Sequence, residues 1–274
     1  MPTGGEGTAV SRALPSCAMA TFPSFDGVTL SYTDDGDGPV LVLLHGFAAD
    51  TNVNYVRPGL FDLFLDEGFR VIAFDARGHG LSEKPREPEG YANDAMRHDV
   101  AALLDHLRID SCVLVGYSMG AHTSLRVAPR EPRVRALVLL GIGENAERNA
   151  DGPGDGGGDG AGEDRRAAMI AALTTEDPEE IEASGLRRFR VMAGNDRTPL
   201  IAYMSTPAGG EVTNLDDIAV PVLLVVGESD VEAGDPTGLA QRLDAQLVRV
   251  PGDHFQANAR PELHRAVLDF LATA

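Results

Sequence analysis

One serine of this chain stands between two glycines, in the segment Gly116-Tyr117-Ser118-Met119-Gly120. An apolar run that can form a strand precedes the segment, and a stretch that can form a helix follows it. A sharp turn from strand to helix exposes a serine hydroxyl and points helix N–H groups at any negative charge that develops there. The flanking glycines lack the Cβ atoms that would clash at such a bend. The segment therefore predicts that Ser118 is a nucleophile.

A serine hydroxyl needs a general base, normally histidine, and a carboxylate that orients the base. With this kind of turn, the expected order along the chain is serine, acid and histidine. His254 follows the apolar run 246–250 and precedes a C-terminal helical segment, so we expect it to be the base. His264 also lies late in the chain, but it falls inside that helical pattern, which favours a surface position.

The acid is expected in a loop after a buried strand, because open α/β sheets place their sites at the carboxyl ends of strands. Asp230 follows the apolar run 222–226 and is our first choice. The competing carboxylates are Glu228, Asp235 and Asp253. Asp253 adjoins His254 in sequence, which makes a bond to the histidine Nδ1 awkward, and Asp235 stands where the sequence indicates a helix cap.

Acyl chemistry also requires two backbone N–H donors for the negative oxygen that forms in the transition state. Met119, directly after the serine, is expected to supply one of them. The loop after the apolar run 40–44 is expected to supply the other, through the N–H of Phe47. His45 lies in the same loop but precedes Ser118 in the chain, so we expect it to be a structural hydrogen-bonding residue rather than the base.

A series of short apolar runs could position these residues. They do not alternate with polar residues, which is typical of strands that are buried on both faces of a parallel sheet. The runs are 40–44, 70–74, 112–115, 136–140, 222–226 and 246–250. Helical periodicity occurs between them, at 93–107, 119–127, 238–243 and 262–271. The alternation predicts a doubly wound, mostly parallel α/β sheet flanked by helices, with an antiparallel edge strand at 28–33.

The stretch from 142 to 210 contains no such run and interrupts the alternation. Residues 151–164 are rich in glycine and aspartate and lack large apolar side chains, so we expect a disordered loop there. Helical patterns follow at 165–173, 178–192 and 199–204, which favours a small helical cap. We therefore divide the chain into a flexible leader (1–20), an α/β core (21–141 and 211–274) and a cap region (142–210).

The composition argues against several classes of protein. The formal net charge of −19 disfavours nucleic acid and anionic membrane surfaces as partners, because those bind clustered Lys and Arg. No apolar stretch reaches the roughly 18–20 residues that a membrane span needs, and the N-terminus lacks the apolar block of a signal peptide. The two cysteines are too few for a secreted disulfide scaffold. We expect a cytoplasmic protein that acts on a small molecule.

The motifs together resemble those of the α/β-hydrolase superfamily. The matching segments arrive in the family's order and are 44–47, 74–82, 116–120, 227–230 and 252–254. The resemblance implies an eight-stranded sheet with the cap inserted after the sixth strand. It implies a triad of Ser118, Asp230 and His254, with the N–H groups of Phe47 and Met119 as the oxyanion hole. It also implies that the segment 75–80 is a structural turn beside the site.

The nucleophile narrows the reaction within this superfamily. Haloalkane dehalogenases and epoxide hydrolases resemble this fold but use aspartate at that position, so Ser118 favours acyl chemistry. The modest cap and the scarcity of aromatic residues favour hydrolysis of a small carboxylic ester or lactone. We expect Tyr117, Tyr203 and Met204 to bind the substrate, and we expect no cofactor and no metal. Acyl transfer, C–C bond hydrolysis, cofactor-free haloperoxidase chemistry and, more remotely, a non-catalytic binding module remain alternatives.

Overall fold

The apolar runs of the sequence pair side by side in one eight-stranded sheet, in the order β1-β2-β4-β3-β5-β6-β7-β8. The computed structural model describes residues 19–144, 146, 161–183, 186–194, 196–206 and 214–274. The strands are Ala20–Pro23 (β1), Thr29–Asp35 (β2), Val40–Leu44 (β3), Arg70–Phe74 (β4), Cys112–Tyr117 (β5), Val134–Leu140 (β6), Val222–Gly227 (β7) and Gln246–Val250 (β8). β2 pairs antiparallel with β1 and β4, and every other neighbouring pair is parallel. The predicted mostly parallel sheet is confirmed.

Helices cover both faces of the sheet. They are Leu60–Asp66 (α1), Ala95–His106 (α2), Met119–Val127 (α3), Ala161–Thr174 (α4), Pro178–Ala183 (α5), Arg187–Ala193 (α6), Thr198–Ser205 (α7), Thr237–Arg242 (α8) and Pro261–Leu271 (α9). In β3, Leu41 and Leu43 point into the core with α1 and α9, whereas Val42 and Leu44 point into the core with α2, α3 and α8. This double burial explains why the strands read as continuous apolar runs. Within the ranges given above, no helix combines the length and the apolar character that crossing a bilayer requires.

Among the described residues between β6 and β7, the chain forms the helices α4 to α7, and we call these the cap helices. α4, α6 and α7 pack against the loop after β3 and the start of α3. Met169 and Leu173 of α4 and Phe189 of α6 form a buried cluster with Phe47 and Met119. The apolar side chains of the cap therefore meet the two residues from which the oxyanion donors are expected.

The structure differs from the sequence-based expectations in the N-terminal leader and in the cap region. Residues 1–18 of the proposed leader 1–20 lie outside the described residues. The last residue of that leader, Ala20, already belongs to β1. Residues 151–160 of the proposed disordered loop 151–164 also lie outside the described residues. The last four residues of that loop are helical, because α4 begins at Ala161. Asp164 near the start of α4 is well placed for the helix dipole. The pattern at 178–192 forms two helices, α5 and α6, rather than one.

The turn after β4 is anchored by a buried arginine. The Arg77 side chain is fully buried, and it donates to both carboxylate oxygens of Asp99 in α2, at 2.6 and 2.8 Å. It also donates to Asp26, in the turn between β1 and β2, at 2.8 Å. A buried charge requires such pairing, because an unpaired one costs several kcal/mol. Arg77 thus ties three separate segments of the chain together beneath the site.

Candidate active site

Ser118 occupies a strained turn between β5 and α3. Its φ of 51° and ψ of −112° are rarely adopted by a residue with a side chain. Its N–H donates to the carbonyl of Leu140 at 2.8 Å, which holds the turn against β6. A Cβ at Gly116 would lie 2.5 Å from the carbonyl oxygen of Gly120, and a Cβ at Gly120 would lie 1.9 Å from that of Leu44. Only glycine therefore fits on either side of the serine.

The three residues of the expected triad form one hydrogen-bonded chain. The Oγ of Ser118 lies 3.1 Å from Nε2 of His254. The Nδ1 of His254 lies 2.9 and 3.0 Å from the two carboxylate oxygens of Asp230. Because an ionised carboxylate only accepts hydrogen bonds, Nδ1 carries the proton and Nε2 offers its lone pair to the serine hydroxyl. This is the tautomer that a general base requires.

The Asp230 carboxylate is held in place by the backbone beyond it. One of its oxygens accepts the N–H groups of Glu232 and Ala233, both at 3.0 Å. Asp230 and His254 are buried, with 7% and 5% of their surfaces exposed, so the bond between them is shielded from water. A buried and fixed carboxylate can orient the imidazole and stabilise its protonated form.

The competing carboxylates have other roles in the structure. Asp235 accepts the backbone N–H of Thr237 at 3.1 Å, at the start of α8. Asp253 accepts the N–H of Phe255 at 2.9 Å, and Glu228 is exposed. Of the carboxylates within the described ranges, Asp230 is the one that hydrogen-bonds to His254. The same ranges contain no group of three or more His, Cys, Asp or Glu side chains that could hold a metal ion.

The oxyanion loop, residues 45–47, is fixed on both sides of its middle residue. His45 accepts the N–H of Ala76 at Nε2, at 2.9 Å, and its Nδ1 donates to the carbonyl of Gly46 at 2.8 Å. The N–H of Gly46 donates to the side-chain oxygen of Asn54 at 2.7 Å. Among the described residues, the N–H groups of Phe47 and Met119 have no hydrogen-bond partner. Both are therefore available to a developing oxyanion, and His45 has the structural role expected of it.

The contact of Asn54 with the oxyanion loop is one that the sequence did not reveal. Asn54 lies in a single π-helical turn, Asn52–Val56, and its carbonyl accepts a hydrogen bond of 2.7 Å from the side chain of Asn258. In the same turn, the hydroxyl of Tyr55 donates to the carbonyls of Leu44 and Val115, each at 2.8 Å. No motif marks these positions, and two of the partners, Val115 and Asn258, are distant in sequence.

A cavity of about 280 Å³ opens beside the serine. Ser118, His254 and the oxyanion loop form one part of its wall, and the π-helical turn with the residues after it forms another. The cap contributes Phe189 and Met192, and the loop after β8 contributes Phe255. Sequence reasoning missed these three apolar residues, because nothing local shows which face of a cap helix points toward the serine.

The expected substrate-binding residues fall in two different places. Tyr117 lines the cavity, but its hydroxyl donates to the backbone carbonyl of His254. Burial raises the pKa of the Tyr117 phenol well above its ordinary range, so it remains a donor. Tyr203 and Met204, by contrast, do not line the cavity. α7 packs its apolar side chains behind Phe47, where the Tyr203 ring stacks on the Phe47 ring at 5.8 Å.

A charged contact joins the cap to the loop that carries the histidine. Arg188 of α6 forms an ion pair of 2.9 Å with Asp253, and its guanidinium lies 5.0 Å from the centre of the Phe255 ring. The next residue, Phe189, packs edge to face on the same ring at 5.3 Å. α6 therefore contacts both sequence neighbours of His254.

Comparison with known proteins agrees with the fold. A family model described as the alpha/beta hydrolase fold matches residues 39–155. The chain is 31% identical over 263 residues to 2-(acetamidomethylene)succinate hydrolase of Mesorhizobium japonicum, covering 89% of this chain and 92% of that one.

Two further proteins to which the chain is similar have other activities in their names. The bifunctional esterase/perhydrolase of Acinetobacter calcoaceticus is 36% identical over 122 residues, 43% of this chain and 42% of that protein. The solved structure of the enol-lactonase from Burkholderia xenovorans superposes with a TM-score of 0.66 and 26% identity, covering 92% of this chain and all of that one. The chain belongs to the α/β-hydrolase superfamily.

Proposed function

We propose that this protein is a serine hydrolase that cleaves a small carboxylic ester or lactone through an acyl-enzyme. The observation that carries the proposal is the hydrogen-bonded chain from Ser118 through His254 to Asp230, with the serine at the wall of a cavity. A serine hydroxyl 3.1 Å from the unprotonated nitrogen of a buried, oriented histidine is arranged for proton transfer.

In the proposed reaction, Ser118 attacks the carbonyl carbon of the substrate while His254 accepts the hydroxyl proton. The negative oxygen that forms accepts hydrogen bonds from the N–H groups of Phe47 and Met119. His254 then gives its proton to the leaving alcohol, and the acyl group stays on the serine. Water, activated by the same histidine, hydrolyses the acyl-enzyme in a second cycle. Asp230 stabilises the imidazolium in both cycles without itself accepting the proton.

The cavity and the relatives support a small substrate. A volume of about 280 Å³ is at the low end of the range for ligand pockets. The similar proteins include a 2-(acetamidomethylene)succinate hydrolase and an enol-lactonase, by their names. The apolar wall formed by Phe189, Met192 and Phe255 suits a short carbon chain.

Acyl transfer to hydrogen peroxide is the second candidate. The similarity to a bifunctional esterase/perhydrolase supports it, although that match covers less than half of either chain. The two reactions share an acyl-enzyme and differ only in the acceptor. Adding hydrogen peroxide during ester turnover and measuring peracid would separate them.

A fluorophosphonate probe tests the nucleophile. We expect the protein to be labelled, the Ser118→Ala variant to be unlabelled, and the Ser229→Ala variant to be labelled at the wild-type rate. Ser229 is exposed and lies beside Asp230 in the chain, so it is a matched control. Persistent labelling of Ser118→Ala would exclude the proposed mechanism.

Ester hydrolysis tests the size of the acyl pocket. With ethyl esters from acetate to octanoate, we expect the best substrate to be short. Phe189→Ala should move the optimum toward longer chains, because it removes an aromatic side chain from the cavity wall. An optimum that stays in place would mean that the acyl chain does not point toward the cap.

A further inference from the structure

The cavity beside Ser118 has an unusual charge for this protein. The chain carries 42 acidic and 23 basic residues, yet no carboxylate lines the cavity within the described ranges. Histidine aside, the one ionisable cation of that lining is Arg57. The protein's surface is dominated by negative charge, so the cavity differs from its surroundings in sign.

Arg57 is also unengaged. Among the described residues, its guanidinium forms no hydrogen bond and no ion pair, and its side chain is exposed. The arginine that contacts the other side of the site, Arg188, is already paired with Asp253 at 2.9 Å. A guanidinium has five N–H donors and cannot lose its charge at any ordinary pH. Arg57 thus lines the cavity and has an unused anion-binding group.

The backbone that carries Arg57 is fixed relative to the oxyanion loop. Arg57 follows the π-helical turn and closes it, since its N–H donates to the carbonyl of Asn52 at 2.9 Å. The same turn contains Asn54, whose side chain holds Gly46 at 2.7 Å. The base of the Arg57 side chain and the loop that carries the Phe47 N–H therefore belong to one connected unit.

We propose that Arg57 binds a carboxylate of the substrate, so that the preferred ester or lactone carries a free carboxylate group. This inference rests on the proposed function and names the substrate class of the same site. A planar guanidinium matches a carboxylate with two parallel hydrogen bonds. An anionic substrate is repelled by a protein of net charge −19, and a local cation in the cavity offsets that repulsion.

Two esters with the same carbon skeleton test the proposal. Monoethyl succinate and ethyl butyrate have four-carbon acyl groups that differ in one terminal carboxylate. We expect wild type to favour monoethyl succinate in kcat/KM, and Arg57→Gln to lower that preference about tenfold, mainly through KM. The preference is the ratio of the two kcat/KM values within one protein, so a general loss of activity in the variant does not alter it. Arg57→Lys should keep part of the preference, and added salt should weaken it because Arg57 is exposed.

Arg135→Gln is the matched control. This substitution removes the same charge from an exposed side chain. Arg135 is the second residue of β6, at the end of the strand away from the site. We expect its substrate preference to equal that of wild type. A preference that Arg57→Gln leaves intact, or that Arg135→Gln lowers equally, would overturn the proposal.

The proposed function can fail separately. If wild type hydrolyses neither ester, the esterase assignment is wrong, and binding still decides the role of Arg57. Titration calorimetry of monoethyl succinate with Ser118→Ala and with the double variant Ser118→Ala, Arg57→Gln measures this directly. We expect about tenfold weaker binding to the double variant. Equal binding, or binding to neither protein, would exclude the carboxylate site.

Discussion

The side-chain oxygen of Asn54 accepts a hydrogen bond of 2.7 Å from the N–H of Gly46, the residue that precedes Phe47. The carbonyl of the same glycine accepts a bond of 2.8 Å from His45. The peptide groups on both sides of Gly46 are thereby held, and with them the direction of the Phe47 N–H. We therefore expect Asn54 to position the Phe47 N–H of the proposed oxyanion hole through this loop.

Asn54→Ala is expected to lower kcat about tenfold while KM changes little. Loss of an oxyanion donor itself typically costs about 100- to 1000-fold, and Asn54 only positions a donor. Steady-state kinetics on a neutral ester would measure both constants. Asn52→Ala is the control, because it makes the same change in the same π-helical turn away from Gly46. A rise in KM with unchanged kcat would mean that Asn54 contacts the substrate instead.

Asp230→Asn is expected to lower kcat by up to about 10⁴-fold, because an amide can donate to Nδ1 of His254 and stabilise the wrong tautomer. The structure provides two controls among the competing acids. Glu228→Gln and Asp253→Asn should keep most of the activity, since Glu228 is exposed and Asp253 interacts with Arg188 and backbone N–H groups. A loss in Asp253→Asn as large as that in Asp230→Asn would reassign the acid.

Alanine at two helical glycines should have opposite effects on stability. Gly120→Ala would place a Cβ 1.9 Å from the carbonyl oxygen of Leu44, and backbone cannot move aside easily. We expect the free energy of unfolding to fall by about 3 kcal/mol or more. At Gly238 in α8, an added Cβ meets nothing within 4 Å. For Gly238→Ala we expect the free energy of unfolding to rise by about 0.5–1 kcal/mol. Urea denaturation of both variants compares them, and a stable Gly120→Ala protein would contradict the tight packing of the turn.

His79 should make the protein sensitive to acid. Burial, together with the neighbouring His45, lowers the pKa of His79 from 6.5 to about 3. Below pH 6.5 the unfolded chain binds a proton there that the folded protein does not, so stability falls as the pH falls from about 6.5 to about 3. Between pH 7 and pH 5 this residue should cost about 2 kcal/mol of unfolding free energy.

The His79→Gln variant measures that contribution. Glutamine does not titrate, so the variant should lose about 2 kcal/mol less than wild type between pH 7 and pH 5 in urea denaturation. Comparing the change with pH, rather than the absolute stability, removes the effect of the substitution on packing. Equal losses in the two proteins would show that the folded state tolerates a charged His79.

The parts of the fold that the sequence predicts are those with a local signal. β3, β4 and β8 have the predicted bounds. In β3 and β4 nearly every residue is buried, and this produces the continuous apolar run that the sequence shows. β1 was not predicted. Its four residues, ATFP, contain no apolar run, and they are a strand because they pair with β2 at the edge of the sheet. α1, Leu60–Asp66, was missed as well.

The same distinction applies to the residues of the candidate site, since those with a local sequence signal were predicted and the others were not. The loops after β5, β7 and β8 meet at one edge because neighbouring parallel strands end there, and this brings Ser118, Asp230 and His254 together. The pair Asn54 and Asn258 could not be found, because the two residues are 204 positions apart and neither lies in a motif. Tyr203 and Met204 were chosen by residue type. Whether a cap residue reaches the cavity depends on helix packing, which the sequence does not encode locally.

The position of the cap in the chain has a consequence for how this protein can change. β6 and β7 are direct neighbours, with Leu137 beside Val222, although all the cap helices lie between them. The chain leaves and rejoins the sheet at adjacent strands, so the ladder that holds the site does not run through the inserted segment. One inserted segment can therefore replace another at this junction without breaking the pairing of β6 and β7. Selection can in this way alter which molecules enter the cavity while the bond-breaking residues keep their places.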